Sequence, residues 1–288
     1  MTDDQSNGAA VRVAFQGEPG AYSDEAVRRY FGHAAEPVAC RDFDAVGART
    51  IAGEADYGLL PIENTLAGSV VASYDVLASP DLGVVGEIIS PIHHCVLALP
   101  GAPLDGVARV LSHPVALAQC RRWIAAHPRI EAVSWYDTAG AAREVASRGD
   151  PAAAAIASRL AAERYGLVII DHDVEDRPDN QTRFLLVART DAPLPRPAAD
   201  ASAAYRTSLL AETANAPGAL LRLLQPFAER GVNLTKLESR PAGQPWSYRF
   251  FLDVDGAAGA SPLREALDHA RRAAQSLRVL GSYPRWQP

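Results

Sequence analysis

Lysine is almost missing from this 288-residue chain: of its 28 basic side chains only Lys236 is a lysine, and the rest are arginines. Basic clusters interleaved with aromatics are missing as well, which argues against single-stranded nucleic acid as a partner. Cysteine is scarce. Cys40, Cys95 and Cys120 are odd in number and widely spaced, a pattern of reduced thiols rather than of a disulfide framework or a zinc site. Long apolar runs are lacking too, since stretches such as Cys95–Leu99 and Ala152–Ala157 fall far short of the ~20 residues that cross a bilayer. The first ten residues, MTDDQSNGAA, carry two acids and no basic or apolar segment of the secretory kind, which predicts a cytoplasmic protein without a membrane partner.

What remains is an ordinary globular composition, 48% apolar and 22% charged, in a chain long enough for two domains. The net charge of −6 is uneven: residues 1–189 hold 16 Lys/Arg against 25 Asp/Glu, a balance of −9, and residues 190–288 hold 12 against 9, a balance of +3. Neither part is basic enough to make a phosphate backbone the expected ligand.

The segment TDAPLPRPAADASAA, residues 190–204, reads as a linker. It separates a domain of residues 11–189, preceded by a disordered tail of residues 1–10, from a domain of residues 205–288. Upstream of the linker, short β-branched runs alternate with Ala-rich amphipathic segments: Val11–Gln16 then Ser23–Phe31, Tyr57–Ile62 then Ser69–Leu77, Val107–Ser112 then Pro114–Ala126, and Ile130–Trp135 then Thr138–Ser147. This alternation predicts a parallel-rich α/β sheet covered on both faces. Val84–Leu99 interrupts it and suits a crossing between two lobes. Downstream, the order strand (Arg206–Thr213), helix (Gly218–Glu229), two strands (Val232–Arg240, Ser247–Val254), helix (Pro262–Ser276) and strand (Arg278–Ser282) is the ferredoxin-like βαββαβ pattern.

Several segments carry polar chemistry at element boundaries. Gly17-Glu18-Pro19-Gly20-Ala21-Tyr22-Ser23 joins a strand to a helix, where amides and the helix dipole suit an anion. It is not GxGxxG and Pro19 removes an amide, so taken alone it reads better as a glycine turn with Ser23 capping the helix. Pro61–Ser69 (PIENTLAGS) follows a strand, and ligands in open α/β sheets bind beyond carboxyl strand ends, which suits Glu63 and Asn64; Thr65 or Ser69 capping the next helix is an equal alternative. His93-His94-Cys95 invites a metal, yet successive strand residues point to opposite faces, so packing or polar-network roles are expected. In Ser112-His113-Pro114, cap and turn chemistry is the simpler reading and leaves His113 and Gln119 open. In Asp179–Phe184, a regular strand puts Thr182 and Phe184 on one face and Arg183 on the other. For Thr182 and Arg183 to meet one ligand the chain must bulge or Thr182 must precede the strand. Asn215–Leu220 is a helix start with Pro217 suited to the first turn and Gly218 allowing close approach. Asn233–Pro241 is a strand with one polar face.

Taken in order, GEPGAYS, PIENTLAGSV, SPIHHCVL, SHPVALAQC, NQTRFLLV, NAPGAL and NLTKLESRP resemble the prephenate dehydratase family with a C-terminal ACT regulatory domain, over nearly the whole chain. Tyr22 and Gln181 occupy positions at which relatives often differ. The resemblance implies a two-lobed, periplasmic-binding-protein-like α/β catalytic domain with its site in the cleft, followed by a ferredoxin-like ACT domain. It implies decarboxylating dehydration of prephenate to phenylpyruvate, without a cofactor or metal. By the same likeness Thr182 is the donor to the departing hydroxyl, and Arg183 a bidentate partner for a substrate carboxylate. Asn64, Ser112 and Gln119 are polar site residues, and Glu63 an acid or network support. Gly20, Ala21, Thr65, Ser69, His113 and Phe184 are substrate contacts. The ACT domain is expected to bind L-phenylalanine as an allosteric inhibitor where two copies meet, in a homodimer or homotetramer. Its contacts would come from Asn215, Pro217, Gly218, Ala219, Leu220, Asn233, Leu234, Glu238, Ser239 and Arg240. Arogenate dehydratase is the near alternative, and a non-catalytic amino-acid sensor the distant one. A chain ending near Arg189 is expected to keep activity and lose the phenylalanine response.

Overall fold

A computed structural model describes residues 10–190, 204–243 and 246–287. Apart from residues 10, 190 and 204, the expected tail and linker lie outside the described residues. By contact pattern the chain forms two units, Met1–Val76 with Ile88–Phe184, and Leu77–Glu87 with Leu185–Pro288.

The N-terminal strands are β1 (Val11–Gln16), β2 (Ala35–Cys40), β3 (Tyr57–Asn64), the two-residue β4 (Gly68–Ser69) and β5 (Leu82–Pro91). They are followed by β6 (Cys95–Ala98), β7 (Arg109–Ser112), β8 (Glu131–Ser134), β9 (Ala153–Ala157), β10 (Val168–Asp171) and β11 (Gln181–Arg189). The helices among them are α1 (Tyr22–Phe31), α2 (Phe43–Ile51), α3 (Val71–Leu77), α4 (Pro114–Gln119), α5 (Arg121–Ala126), α6 (Thr138–Arg148) and α7 (Arg159–Tyr165).

The strand–helix alternation serves two sheets, in keeping with the two-lobed architecture expected. One has the order β2-β1-β3-β11-β5 with β4 beside β3; the other has the order β10-β6-β9-β7-β8. Within them β1 pairs in parallel with β2 and β3, and β7 with β8 and β9, whereas β6 is antiparallel to β9 and β10. The expected crossing at Val84–Leu99 divides between β5 of one sheet and β6 of the other, and the chain returns through residues 172–180 to β11.

Helix starts follow from short polar side chains that accept from otherwise orphaned amides. Asp42 accepts from Ala45 N, Asp137 from Gly140 N and Ser158 from Ala161 N. Left-handed Gly149 and Gly166 end α6 and α7. Ser23, expected as the cap of α1, lies within that helix, whose cap position is Ala21. Ser69 lies in β4, and Thr65 spends its hydroxyl on the Asp179 carbonyl and the Gln181 amide rather than on α3.

The C-terminal elements are β12 (Tyr205–Glu212), α8 (Ala219–Glu229), β13 (Leu234–Pro241), β14 (Tyr248–Asp255), α9 (Leu263–Ala273) and β15 (Ser276–Pro284). This is the expected βαββαβ order, folded as an antiparallel sheet β13-β14-β12-β15. Its core joins Leu209, Leu252 and Val254 of the sheet to Leu223 and Phe227 of α8 and to Leu263, Ala266, Leu267 and Ala270 of α9. Each large side chain buried there contributes roughly 1.5–3 kcal/mol. In the same unit the buried Glu87 of β5 accepts from the buried Arg206 of β12 and from the amide of Trp286.

Candidate active site

β3 ends at Asn64 and its sheet neighbour β11 begins at Gln181, so two sequence-distant segments meet at a strand end. The Asn64 side chain is the hub. Its Oδ1 accepts from the amides of Leu66 (3.0 Å) and Ala67 (2.8 Å). Its Nδ2 faces Asn180 Oδ1 (2.8 Å), Thr182 Oγ1 (3.0 Å) and the Gln181 carbonyl (3.1 Å). Gln119, the last residue of α4, closes the network by donating to Asn64 Oδ1 (3.3 Å) and accepting from Asn180 Nδ2 (3.0 Å). Behind it, buried His94 sets Nε2 against Gln119 Oε1 (2.9 Å) and Nδ1 against the Tyr22 hydroxyl (2.6 Å). Burial pushes His94's proton affinity below the usual histidine range, so the ring is neutral near pH 7.

This network forms one wall of a cavity of about 750 Å³, a volume suited to a small ligand. Asn64, Ser69, Thr182 and Phe184 line it from strands of the first sheet, and His113, Val115, Gln119, Tyr136 and Asp137 from the segments that follow β7 and β8 of the second. The N-terminal residues of α1, α2 and α6 also line it. Each helix brings a partial positive charge of roughly half an elementary unit, which favours an anionic ligand. Arg41 adds a guanidinium, paired with Asp42 at 2.7 Å. Burial raises the Asp137 carboxyl above its ordinary range, and burial with a hydrogen bond to Glu18 pushes the Tyr136 phenol up to about 12.

Of the residues expected at the site, Asn64, Gln119, Thr182, Ala21, Ser69, His113 and Phe184 line the cavity together. Glu63, Ser112, Arg183, Gly20 and Thr65 are not among its lining residues. Ser112 is buried and donates to the Ile156 carbonyl (2.6 Å). Thr65 bonds the Asp179 carbonyl and the Gln181 amide, pinning the β3 exit to the β11 entry. Gly20, at φ +91°, accepts from the Ser158 hydroxyl and packs on Ala161. β11 is continuous from Gln181, so Thr182 and Phe184 share the cavity face and Arg183 between them does not line it. His113 caps α4 through its ring. The three residues of the His-His-Cys run diverge: His93 meets Glu175 (2.9 Å), His94 joins the network, and Cys95 is buried in β6.

Sequence reasoning missed Tyr22, Arg41, Tyr136, Asp137 and Asn180 as parts of the site or of its supporting network, whereas the polar-network role expected in the His-His-Cys run falls to His94. Asp42 and Asp137 carried a legible signal, each an aspartate three residues before the amide it caps.

In the C-terminal unit, Gly218 is left-handed and precedes α8, and the Ala219 amide is used by the Ala216 carbonyl. Pro217 accepts from Arg222, and Asn215 reaches the Trp246 carbonyl (3.4 Å). Asn233 meets Asp255, and half-buried Leu234 and Leu220 pack on the core. Along β13, Glu238 and Arg240 share the half-buried face and Ser239 takes the exposed one.

Residues 13–192 match the prephenate dehydratase family and residues 207–269 the ACT domain family. Arogenate dehydratase/prephenate dehydratase 2, chloroplastic, of Arabidopsis thaliana is 39% identical over 99% of this chain and 75% of its own. Two solved structures are similar at this level. One, described as GqqA, a novel type of quorum quenching acylase, is 39% identical with TM-score 0.87 and covers 96% of this chain and 98% of its own. The other, prephenate dehydratase in complex with L-Phe from Arthrobacter aurescens, is 35% identical with TM-score 0.86 and covers 96% of this chain and 90% of its own. With two sheets around a polar cleft and a βαββαβ domain after them, the chain belongs to the prephenate dehydratase family and is a dehydratase with a C-terminal ACT domain.

Proposed function

We propose that the cleft binds prephenate and that the chain converts it to phenylpyruvate, carbon dioxide and water. The observation that supports this best is the hydrogen bond from Asn64 Nδ2 to Thr182 Oγ1. It occupies a lone pair of the hydroxyl oxygen and leaves the hydroxyl proton for an acceptor in the cavity. In prephenate that acceptor is the ring hydroxyl that must depart. The bond from the ring to its carboxylate breaks, its electron pair passes through the diene, and the carbon–oxygen bond to the hydroxyl breaks. The oxygen takes up one proton and leaves as water, while aromatisation supplies the driving force. Threonine is too weak an acid to give up its proton outright, so Thr182 acts as a positioned donor and the proton consumed comes from solvent. Donation of this kind contributes about 10²–10⁴-fold, with positioning and electrostatics adding to it.

The substrate is a dianion in a domain of balance −9. The N-terminal ends of α1, α2 and α6 and the Arg41 guanidinium offset that repulsion, and Phe184 offers an apolar face to the ring. Gln119 and Asn64 hold the donor, whereas Glu63, Ser112 and Arg183 support the walls around it. The catalytic domain comprises residues 11–189 and the ACT domain residues 205–288. L-Phenylalanine binds the ACT domain beside the start of α8 and β13, where two copies meet in a cytoplasmic homodimer or homotetramer, and inhibits. The L-Phe complex of the Arthrobacter relative supports that effector.

Arogenate, which carries an amino group where prephenate has a keto group, undergoes the same chemistry. Competition between the two substrates decides the assignment. Phenylpyruvate forming faster from prephenate supports it, phenylalanine forming faster from arogenate moves it to that substrate, and neither product overturns it.

A further inference from the structure

We propose that His94 is a positioning residue that holds its proton on Nε2 and, through Gln119 and Asn64, turns the Thr182 hydroxyl proton into the cavity. The inference rests on the reading of Thr182 as the donor to the departing oxygen. It follows from an anchor that cannot be reversed. The main-chain amides of Leu66 and Ala67 can only donate, so the atom of Asn64 that faces them is its carbonyl oxygen. The Asn64 amide nitrogen therefore faces Asn180 Oδ1, Thr182 Oγ1 and the Gln181 carbonyl, its two protons serving three acceptors. That fixes Asn180 with its own nitrogen toward Gln119, and fixes Gln119 with its nitrogen toward Asn64 Oδ1 and its oxygen toward Asn180 and His94. The reverse orientation of Gln119 sets two acceptors and two donors against each other in a buried site, at a cost of ~1–3 kcal/mol for each unmade bond.

Gln119 Oε1 thus requires a proton on His94 Nε2. In the neutral ring Nδ1 is then a bare acceptor; the single Tyr22 hydroxyl proton has two acceptors, His94 Nδ1 at 2.6 Å and the His93 carbonyl at 3.1 Å, and the shorter contact to the bare nitrogen takes it. Tyr22 is held edge-on to the imidazole, with ring centroids 5.4 Å apart. The main-chain N–H of His94 is anchored to Glu175 Oε2 at 2.9 Å. Donation runs one way from Tyr22 to His94, Gln119, Asn64 and Thr182. Thr182 ends this chain of donation, so its hydroxyl proton is left for a ligand in the cavity.

The test combines a spectroscopic readout with kinetics on the full-length protein. With ¹⁵N-labelled histidine, His94 should show protonated Nε2 and bare Nδ1 near neutral pH; the opposite tautomer overturns the proposal. His94→Leu, which offers Gln119 no donor, should lower kcat about tenfold to 10²-fold on prephenate, as expected when a reacting group is misplaced by a fraction of an ångström. KM should stay within about twofold, because the substrate contacts remain. His94→Gln, whose amide can again donate to Gln119, should recover most of the loss. Should His94→Leu fail to fold, the tautomer and His94→Gln decide. Thr182→Ala run in parallel separates the two ideas. If it loses kcat while His94→Leu does not, this inference fails; if it keeps kcat, the reading of Thr182 fails and the tautomer still reports on His94.

Discussion

Asn64 and Thr182 lie 118 positions apart in the sequence, yet their side chains meet at 3.0 Å because β3 and β11 are neighbours in one sheet. The nitrogen end of an amide sits against the hydroxyl, and that polarity is testable. Asn64→Asp keeps the shape and replaces the donor by an acceptor, so Thr182 would turn its proton to the carboxylate and away from the substrate. Steady-state kinetics with prephenate should show kcat reduced by about 10²-fold or more with a smaller change in KM. A variant with normal kcat would mean that the hydroxyl needs no orientation.

His94 gives the stability an acid-sensitive component. Burial lowers its proton affinity in the folded state, opposed by Gln119 and by the charge of Glu175 and reinforced by that of His93. The unfolded chain therefore binds the extra proton more readily. This contribution is complete above the ordinary histidine value of ~6.5 and is lost as pH falls from there toward the folded-state value. Urea unfolding at pH 7.5 and pH 5.5 should show the drop, and His94→Gln should remove that part of it. The acidic groups lowered by arginine pairing, Asp56 beside Arg12 and Asp179 beside Arg177, act only in a more acidic window.

Much of the architecture was legible because its signals are local. Period-two apolar runs marked most strands, and the βαββαβ order of the C-terminal domain needed only element order. Besides the two-residue β4, three N-terminal strands escaped that reading for physical reasons. β2 (AEPVAC) is an edge strand with Pro37 inside it, β9 (AAAIA) is alanine-rich and owes its strand state to burial between β6 and β7, and β10 has four residues. Alternation at Thr182–Phe184 placed two side chains on one face, as found. Asn180, Tyr22 and His94 matter only because sheet order brings remote segments together, and no spacing along the chain encodes that.

Two glycines should resist substitution. Gly20 combines φ +91° with a Cβ position 3.0 Å from Ala161 Cα, and Ala21 beside it lines the cleft. A Cβ on Gly281 would lie 1.9 Å from the Val84 carbonyl oxygen. Gly20→Ala should cost about 1–3 kcal/mol and raise KM, whereas Gly281→Ala should cost more and leave KM alone. Thermal unfolding with KM measurements separates them.

The buried pair of Glu87 and Arg206 changes what truncation can teach. A chain ending near Arg189 removes Arg206 and the Trp286 amide together with the unit in which Glu87 is buried, so the carboxylate meets water and apolar surface of β5 is uncovered. The shortened chain should therefore show a lower unfolding midpoint than the full-length protein, measured beside its activity. In the full-length protein Arg206→Met should be strongly destabilising, and adding Glu87→Gln should restore part of the loss. Equal unfolding midpoints for single and double variants would remove the pair from this role.

Thr182→Ala and Thr182→Ser, compared for the rate of phenylpyruvate formation from prephenate at saturating substrate, test the central claim most directly. The account predicts that alanine lowers kcat by about 10²–10⁴-fold with little change in KM, and that serine, which keeps the hydroxyl, stays within about tenfold of the unsubstituted enzyme. A Thr182→Ala enzyme with near-normal kcat would contradict it.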